Sequence, residues 1–246
     1  MTATMALEGI DVCKTLGTGA REVRALSGVS VQIARGELTL LMGPSGSGKT
    51  TLLSILGCIL SATSGDVLVA GEPIKTLAAE ELAELRRRHL GFVFQSYNLF
   101  PTLTAAENIL LALKVRSCTG PVAKRLAAEA LAEVGLQEKH AALPANLSGG
   151  QQQRLAVARA LAGTPTIILA DEPTAALDSE NGRAIMGLLA DVAHKRDRAV
   201  LAVTHDPRTI SFADRTIEIV DGRIVSDTRS RNRVTGSSRQ GETARG

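Results

Sequence analysis

One glycine-rich segment has the residue types and spacing of a phosphate-binding loop: Gly43, Pro44, Ser45, Gly46, Ser47, Gly48, Lys49 and Thr50, continued by Thr51. Its glycines let backbone N–H groups curl around phosphates, and the start of the helix predicted after it favours negative charge. Lys49 supplies a positive charge to the β- and γ-phosphates, and the Thr50 hydroxyl is a ligand for Mg²⁺. An ordinary glycine-rich turn is the alternative, but the apolar strand before the loop and the helix after it favour a nucleoside triphosphate site.

A pair of carboxylates follows an apolar run that is typical of a buried strand. Asp171 comes directly after residues 166–170, and Glu172 is the next residue. At the end of a strand beside the phosphate-binding loop, Asp171 would face a metal ion and Glu172 would act as general base on the attacking water. A strand that ends in solvated acids is the alternative, and the glycine-rich loop argues against it.

A second phosphate-binding sequence lies far downstream, where Ser148, Gly149, Gly150 and Gln151 begin a predicted helix. Backbone N–H groups and a hydroxyl at a helix N-terminus can bind an anion. One nucleotide needs only one such segment. Two different segments in one domain therefore indicate that each nucleotide is held between two copies of the protein.

Alternating strands and helices must position these residues. The hydrophobic pattern predicts helices over 50–60, 77–88 and 179–195, and a mostly helical block over 103–163. Strands are predicted over 7–12, 28–33, 37–42, 67–70, 72–74, 90–94, 166–170, 199–203, 215–220 and 223–225. The last two form a hairpin that turns at Asp221-Gly222. This alternation predicts an α/β fold with a mainly parallel sheet, and the helical block reads as an inserted subdomain.

Composition excludes several classes of protein. Among 246 residues, 44% are hydrophobic but only 2% are aromatic, so the core must be aliphatic. No apolar run approaches the roughly 18–20 residues that span a bilayer, and the N-terminus lacks a signal-peptide pattern, so we expect a soluble, cytoplasmic protein. The three cysteines have no metal-ligand spacing, which indicates reduced thiols.

The positive charge is concentrated at the C-terminal end. Residues 226–246 carry five arginines against two acids, a balance of +3 that equals the net charge of the whole chain. The body is therefore formally neutral, which argues against a nucleic-acid partner. We expect residues 229–246 to form a disordered basic tail after a domain spanning 5–228. Either the tail is passive and solvated, or it contacts anionic lipid heads.

Taken together, six motifs resemble those of the ATP-binding subunits of ABC transporters, in order and approximate spacing over residues 7–225. Besides the three segments above, they are Gln95 after an apolar strand, Ala176-Leu177-Asp178, and Thr204-His205-Asp206. The resemblance implies a P-loop NTPase core with a mainly parallel sheet, an antiparallel β subdomain and an inserted α-helical subdomain at about 97–163. The stretches 56–58, 63–65, 91–95 and 148–154 look like the lipoprotein-releasing and macrolide-export branch.

The resemblance also implies roles for single residues. Asp178 would bridge the two sites of a dimer, and Ser148 to Gln151 would bind the γ-phosphate of the opposite subunit's ATP. Leu16 stands where relatives carry an aromatic residue that stacks on adenine, so we expect weaker binding of the base. Ala175 replaces a Gly or Ser, a small change. The residues implied for catalysis are Lys49, Gln95, Glu172 and His205, and those implied for the metal are Thr50, Gln95 and Asp171.

The function implied is that of an ATP-hydrolysing subunit, with ATP and Mg²⁺, that energises a separate membrane permease for export or release of a lipid-like or hydrophobic substrate. Its partners would be a second copy in an ATP-sandwich dimer and a permease, which in such systems works with periplasmic adaptors. It would lie on the cytoplasmic face of the inner (plasma) membrane as a peripheral protein. Aromatic residues within 95–101 predict a cleft for a short permease helix, with local core packing as the alternative.

Two other functions compete with this interpretation. A soluble ABC ATPase of DNA repair or translation would carry a long coiled-coil insertion or two tandem ATP domains, for which 246 residues leave no room. A regulatory ABC ATPase of the cell-division type, which signals to a membrane partner without transport, remains open from the sequence.

Overall fold

The computed structural model describes residues 5–230. Within this range the strands are β1 Met5–Leu16, β2 Val23–Ala34, β3 Leu38–Met42, β4 Ser64–Val69, β5 Glu72–Pro73, β6 Leu90–Val93, β7 Ile167–Asp171, β8 Ala199–Val203, β9 Arg215–Val220 and β10 Arg223–Arg229. The α-helices are α1 Lys49–Leu56, α2 Ala79–His89, α3 Ala105–Val115, α4 Gly120–Glu133, α5 Gly149–Leu161 and α6 Ser179–Arg196.

The strands form two sheets. Six strands in the order β10-β9-β3-β8-β7-β6 make one sheet, which is parallel except for β10. The other is antiparallel, in the order β2-β1-β4-β5. This architecture confirms the predicted α/β class, with its mainly parallel core and antiparallel β subdomain. Because the carboxyl ends of parallel strands meet at one edge, the segments after β3, β7 and β8 come together there.

Aliphatic packing holds the central strands in place. Residues 167–170 of β7 are fully buried, as are those of β8, because helices or the second sheet cover both faces. One cluster of buried residues joins α1 to both sheets, and another packs α6 and α5 on the opposite face of the parallel sheet. The strand ends that carry the polar residues are therefore fixed by a rigid aliphatic core.

Helices α3, α4 and α5 form a compact unit within the predicted helical block. They bury a shared cluster that includes Ile109, Leu113, Leu131 and Leu155. A capping box starts α3, in which Thr104 Oγ1 accepts from the Glu107 backbone N–H and the Glu107 carboxylate accepts from the Thr104 N–H. None of the helices in residues 5–230 is long and apolar enough to cross a bilayer.

The first two strands are longer than predicted. β1 and β2 each span 12 residues, about twice the predicted length, and pair along most of it. A bulge explains why the sequence pattern predicts a shorter β1. The register shifts between Gly9 and Val12, and Asp11 has a φ of 49°. A bulge reverses the alternation of apolar and polar residues, so a period of two is lost in the middle of the strand.

The predicted start of the disordered tail, residue 229, was wrong. Arg229 is the last residue of β10, and its guanidinium donates to Glu37 Oε2 at 2.7 Å. Nearby, Arg215 on β9 donates to both carboxylate oxygens of Asp227, at 2.7 and 2.6 Å. Composition alone predicts that these charged groups are solvated. Glu37 and Arg215 are in fact buried, and a buried charge needs a partner of opposite charge. The rest of the predicted tail, 231–246, lies outside the described residues.

Candidate nucleotide-binding site

The glycine-rich loop leaves β3 and turns tightly against its neighbours before α1 begins at Lys49. At Gly43, whose φ is 148°, an added Cβ would lie 2.0 Å from the carbonyl oxygen of Ile219. Gly46 also has a positive φ, of 79°, but an added Cβ there would meet open space. Close packing therefore requires glycine at position 43. Gly46 leaves its backbone exposed to the cleft, as a loop that binds phosphate needs.

Lys49 is folded back over the loop. Its Nζ donates to the carbonyl oxygens of Gly43 at 2.8 Å and Pro44 at 2.7 Å, and the residue is only 7% exposed. Both hydrogen-bond partners are neutral carbonyl groups, so the ammonium group forms no ion pair among the described residues and can bind a phosphate. Beside it, the buried Ser47 hydroxyl has no hydrogen-bond partner among the described residues. A buried orphan hydroxyl in this loop fits a segment built to hold an anion.

Oxygen donors suited to Mg²⁺ meet at the start of α1. Thr50 Oγ1 donates to Asp171 Oδ1 at 3.2 Å, and Gln95 lines the same cleft. Burial raises the pKa of the Asp171 carboxyl; the Thr50 hydrogen bond opposes that rise, the charge of Glu172 adds to it, and Lys49 opposes it. Mg²⁺ uses one or two protein oxygens together with phosphate oxygens and water, so this small set fits a nucleotide-bound Mg²⁺.

Glu172 and His205 form a pair across two parallel strands. His205 Nδ1 lies 2.8 Å from Glu172 Oε1. The Glu172 backbone has a left-handed φ of 46°, and its N–H donates to the carbonyl of Val203 at 3.0 Å. Strained residues of this kind persist only where the surrounding structure fixes them, and they are concentrated at functional sites. The pair therefore joins the carboxyl ends of β7 and β8 through one side-chain hydrogen bond.

A cleft of about 930 Å³ brings most of the predicted residues together. The predicted residues that line it are Leu16, Pro44, Ser45, Gly46, Gly48, Lys49, Thr50, Thr51, Gln95, Glu172 and His205. Three predicted residues do not line the cleft but adjoin residues that do: Gly43, Ser47 and Asp171. Leu16 thus reaches the cleft, at the loop end of the β1–β2 hairpin.

The second phosphate-binding segment is not part of this cleft. Ser148 Oγ caps α5 by accepting from the Gln151 N–H at 3.3 Å, and Gln151 Oε1 accepts from the Ser148 N–H at 3.0 Å. Gly150 packs so closely on Asn181 that an added Cβ would lie 2.4 Å from its side-chain oxygen. Together with Gly149, these residues line no part of the cleft around the loop.

Asp178 also lies outside the cleft. It caps α6, and its two carboxylate oxygens accept from the Asn181 backbone N–H at 2.9 Å and side-chain amide at 2.7 Å. These hydrogen bonds, the backbone one first, lower the pKa of the Asp178 carboxyl. Within one chain, the residues predicted to act on an opposite nucleotide are therefore separate from those of the cleft.

Comparison with known proteins agrees with this geometry. The sequence pattern that defines the family described as "ABC transporter" matches residues 26–175. The chain belongs to the ABC transporter family. The resemblance inferred from its motifs is confirmed, and the chain is an ABC-type ATPase cassette.

Curated relatives within the family share nearly half of their aligned residues with this chain. The macrolide export ATP-binding/permease protein MacB of Brucella abortus (strain 2308) is 47% identical over 222 residues, and MacB of Escherichia coli (strain K12) is 45% identical over 222 residues. Each alignment covers 90% of this chain and 34% of the relative. The chain thus spans about a third of the length of these relatives.

Solved structures of the family share the fold over nearly the whole chain. The ATP-binding cassette MJ0796, in a dimeric post-hydrolysis state bound to ADP and Pi, has a TM-score of 0.83 and 41% identity. This match covers 91% of this chain and 98% of that one. CbiO1 of Clostridium perfringens, part of an ABC transporter complex, also has a TM-score of 0.83, at 26% identity, over 92% of this chain and 89% of its own.

Five residues that line this ABC cassette's cleft were not among the predicted site residues: Val23, Arg24, Ala25, Asp221 and Gly222. Val23 lies directly opposite Leu16 in the β1–β2 pairing, lines the same cleft and is 63% exposed. The sequence pattern gave no signal for Val23, because the predicted strand began at residue 28. Only the register of the hairpin shows that Val23 faces Leu16.

Proposed function

We propose that this cassette binds and hydrolyses ATP as one half of an ATP-sandwich dimer that energises a membrane permease for export. The proposal rests on one observation: the polar segments of this chain are divided between the cleft and the surface outside it. The loop, Gln95, Glu172 and His205 share one cleft, whereas the segment 148–151 and Asp178 lie outside it. A site completed by a second copy accounts for both halves, and the dimeric structures of MJ0796 support this arrangement.

The proposed hydrolysis of ATP follows from the positions of the charged groups that line the cleft. The loop N–H groups and Lys49 would bind the β- and γ-phosphates, and the Glu172 carboxylate would take the proton of the attacking water. His205, whose Nδ1 lies 2.8 Å from Glu172 Oε1, would orient that carboxylate and contact the γ-phosphate of a bound ATP. Thr50, Asp171 and Gln95 would hold Mg²⁺, which supplies positive charge to the phosphate oxygens when bound.

A groove of about 1090 Å³, which shares no lining residue with the nucleotide cleft, is the docking site that we propose for the permease. Its apolar lining includes Phe94, Phe100 and Val115, close in sequence to Gln95. Arg116 and Arg159 also line it, and their guanidinium groups donate to backbone carbonyls and pair with no carboxylate among the described residues. A short amphipathic helix with an acidic side chain complements such a groove. Movement of the dimer would pass to the permease through it.

The curated relatives guide the finer assignment. Because MacB proteins are named for macrolide export, we propose an export function with a hydrophobic or lipid-like substrate, and with a periplasmic adaptor as a further partner. The cassette would then act as a peripheral protein on the cytoplasmic face of the inner membrane. These relatives favour transport over the signalling role that the sequence left open.

Complementation between two inactive variants tests the shared site. Ser148→Arg damages the downstream segment and Lys49→Ala damages the loop, so each variant alone should lose ATPase activity. A heterodimer of the two has one undamaged composite site. An equal mixture should recover about a quarter of the wild-type rate if subunits pair at random and the sites turn over independently. An inactive mixture in which co-purification through two different tags demonstrates heterodimers would overturn the proposal.

A further inference from the structure

One arginine joins the segment after β8 to the start of α6. Arg208 donates two parallel hydrogen bonds to the Asp206 carboxylate, from Nε to Oδ1 at 2.9 Å and from Nη2 to Oδ2 at 2.8 Å. Its remaining nitrogen, Nη1, donates to Ser179 Oγ at 2.6 Å. Asp206 is the residue after His205, and Ser179 is the residue after Asp178.

The carboxylate held by Arg208 is itself fixed to the backbone. Asp206 Oδ1 accepts from the Arg208 backbone N–H at 2.9 Å, which caps the short helical turn Pro207–Phe212. The Asp206 N–H donates to Thr204 Oγ1 at 3.1 Å, and Thr204 is fully buried at the end of β8. The bidentate bond therefore ties the guanidinium to the rigid end of a central strand, not to a free surface side chain.

These contacts form a continuous connection between the hydrolytic pair and Asp178. Glu172 bonds His205, the adjacent Asp206 bonds Arg208, and Arg208 bonds Ser179 at the N-terminus of α6. An exposed ion pair adds little to stability, and Arg208 has a 62% exposed side chain. Its planar fork, which binds two oxygens and a hydroxyl at once, fixes geometry instead, and a lysine cannot reproduce it.

We propose that Arg208 is a positioning residue that couples Asp178, where the second copy would pack, to the orientation of the Glu172–His205 pair. The inference rests on the proposed ATP-sandwich dimer. When the second copy fixes the start of α6, Arg208 holds the His205–Asp206 segment in the hydrolytic arrangement. Without the link, the dimer still closes on ATP but hydrolyses it slowly.

Steady-state kinetics and a double-mutant cycle on the full chain test this role. Arg208→Gln should lower kcat at least fivefold with the KM for ATP changed less than twofold, and Arg208→Lys should rescue only part of the loss. Ser179→Ala removes one bond of the same link, so combining it with Arg208→Gln should add no further loss. On a Glu172→Gln background, Arg208→Gln should still give an ATP-dependent dimer in gel filtration.

The matched control is Arg125→Gln. Arg125 is equally exposed, at 64%, and pairs with Glu129 on α4, away from the cleft, so its loss should leave kcat unchanged. Unchanged kcat in Arg208→Gln, or losses that add with Ser179→Ala, would overturn the inference while leaving the dimer intact. Failure of the wild-type chain to hydrolyse ATP, or of the Glu172→Gln variant to dimerise, would instead remove the proposed function itself.

Discussion

Glu172, the proposed general base, has an unusual backbone conformation. The residue occupies a left-handed backbone conformation that costs on the order of 1–3 kcal/mol for a side chain of this kind. The hydrogen bond from its N–H to Val203 and the bond of its carboxylate to His205 offset that cost and leave one orientation. In the proposed mechanism, this backbone conformation would aim the carboxylate at the attacking water.

Replacing this carboxylate by an amide should separate hydrolysis from binding. Glu172→Gln keeps the shape of the side chain but cannot accept a proton, so hydrolysis should fall by ~10²–10⁴. ATP binding should persist, because the loop and Lys49 are unchanged, and an ATP-bound dimer should accumulate in gel filtration. Glu129→Gln, a matched change on the surface of α4, should alter neither property. Near-normal turnover of Glu172→Gln without an ATP-dependent dimer would rule out a general base at this position.

At the scale of elements, the pairing of β1 with β2 decides which side chains would meet the base of a bound nucleotide. The register sets Leu16 opposite Val23 at the loop end of the hairpin, where both residues line the cleft. An aliphatic pair can cover a base by apolar contact, but it has no π-face and no group that distinguishes adenine from guanine. Affinity should therefore come mainly from the phosphates, with poor discrimination between ATP and GTP.

Restoring an aromatic ring should strengthen binding of the base alone. Stacking of a base on an aromatic side chain contributes ~1–3 kcal/mol, so Leu16→Tyr should lower the KM for ATP several-fold with little change in kcat. Competition by inorganic tripolyphosphate, which has no base, serves as the control and should be the same for both proteins. Equal nucleotide affinities measured by titration would mean that another residue already covers the base.

At the scale of the whole molecule, two surfaces outside the cleft matter for the proposed function: the segment at the start of α5 and the arginine-lined groove. The helical unit of α3, α4 and α5 carries Ser148 away from the loop of its own chain, so a second copy is needed to close the proposed site. The arginine-lined groove lies between α2, α3 and β6, where a permease helix would bind. Catalysis and coupling would thus occupy different faces, and a change in one can spare the other.

A substitution in the groove should uncouple transport without harming the ATPase. Val115 lines the groove and is 55% exposed, so Val115→Lys adds a fifth cation to Arg86, Arg87, Arg116 and Arg159 and should repel an acidic helix. The isolated cassette should keep its ATPase rate and melting temperature, while its recovery in the membrane fraction of native host cells falls several-fold. Val122→Lys, 52% exposed on α4 and outside the groove, is the matched control. Unchanged membrane recovery of Val115→Lys would argue against docking at this face.

Consecutive residues carried enough information to predict the fold class and the chemistry of the loop. The glycine spacing before Lys49 and the acids after β7 act within a few residues of chain, and the strand and helix that flank them follow from local hydrophobic pattern. The predicted ends of β8 and β9 agree with the structure for the same reason. Where a bulge reversed the pattern in β1, or ion pairs held Arg229 in β10, local reasoning was wrong.

Only the tertiary structure decided which distant residues touch. The pairing of Glu172 with His205 depends on β7 lying beside β8, and the pairing of Leu16 with Val23 depends on the hairpin register. The bond from Arg208 to Ser179 joins segments 29 residues apart. Local propensity has no access to such contacts, because they form when aliphatic burial stacks whole strands and helices and leaves their polar ends at one edge. The sequence by itself therefore determined the chemical groups, and packing determined their partners.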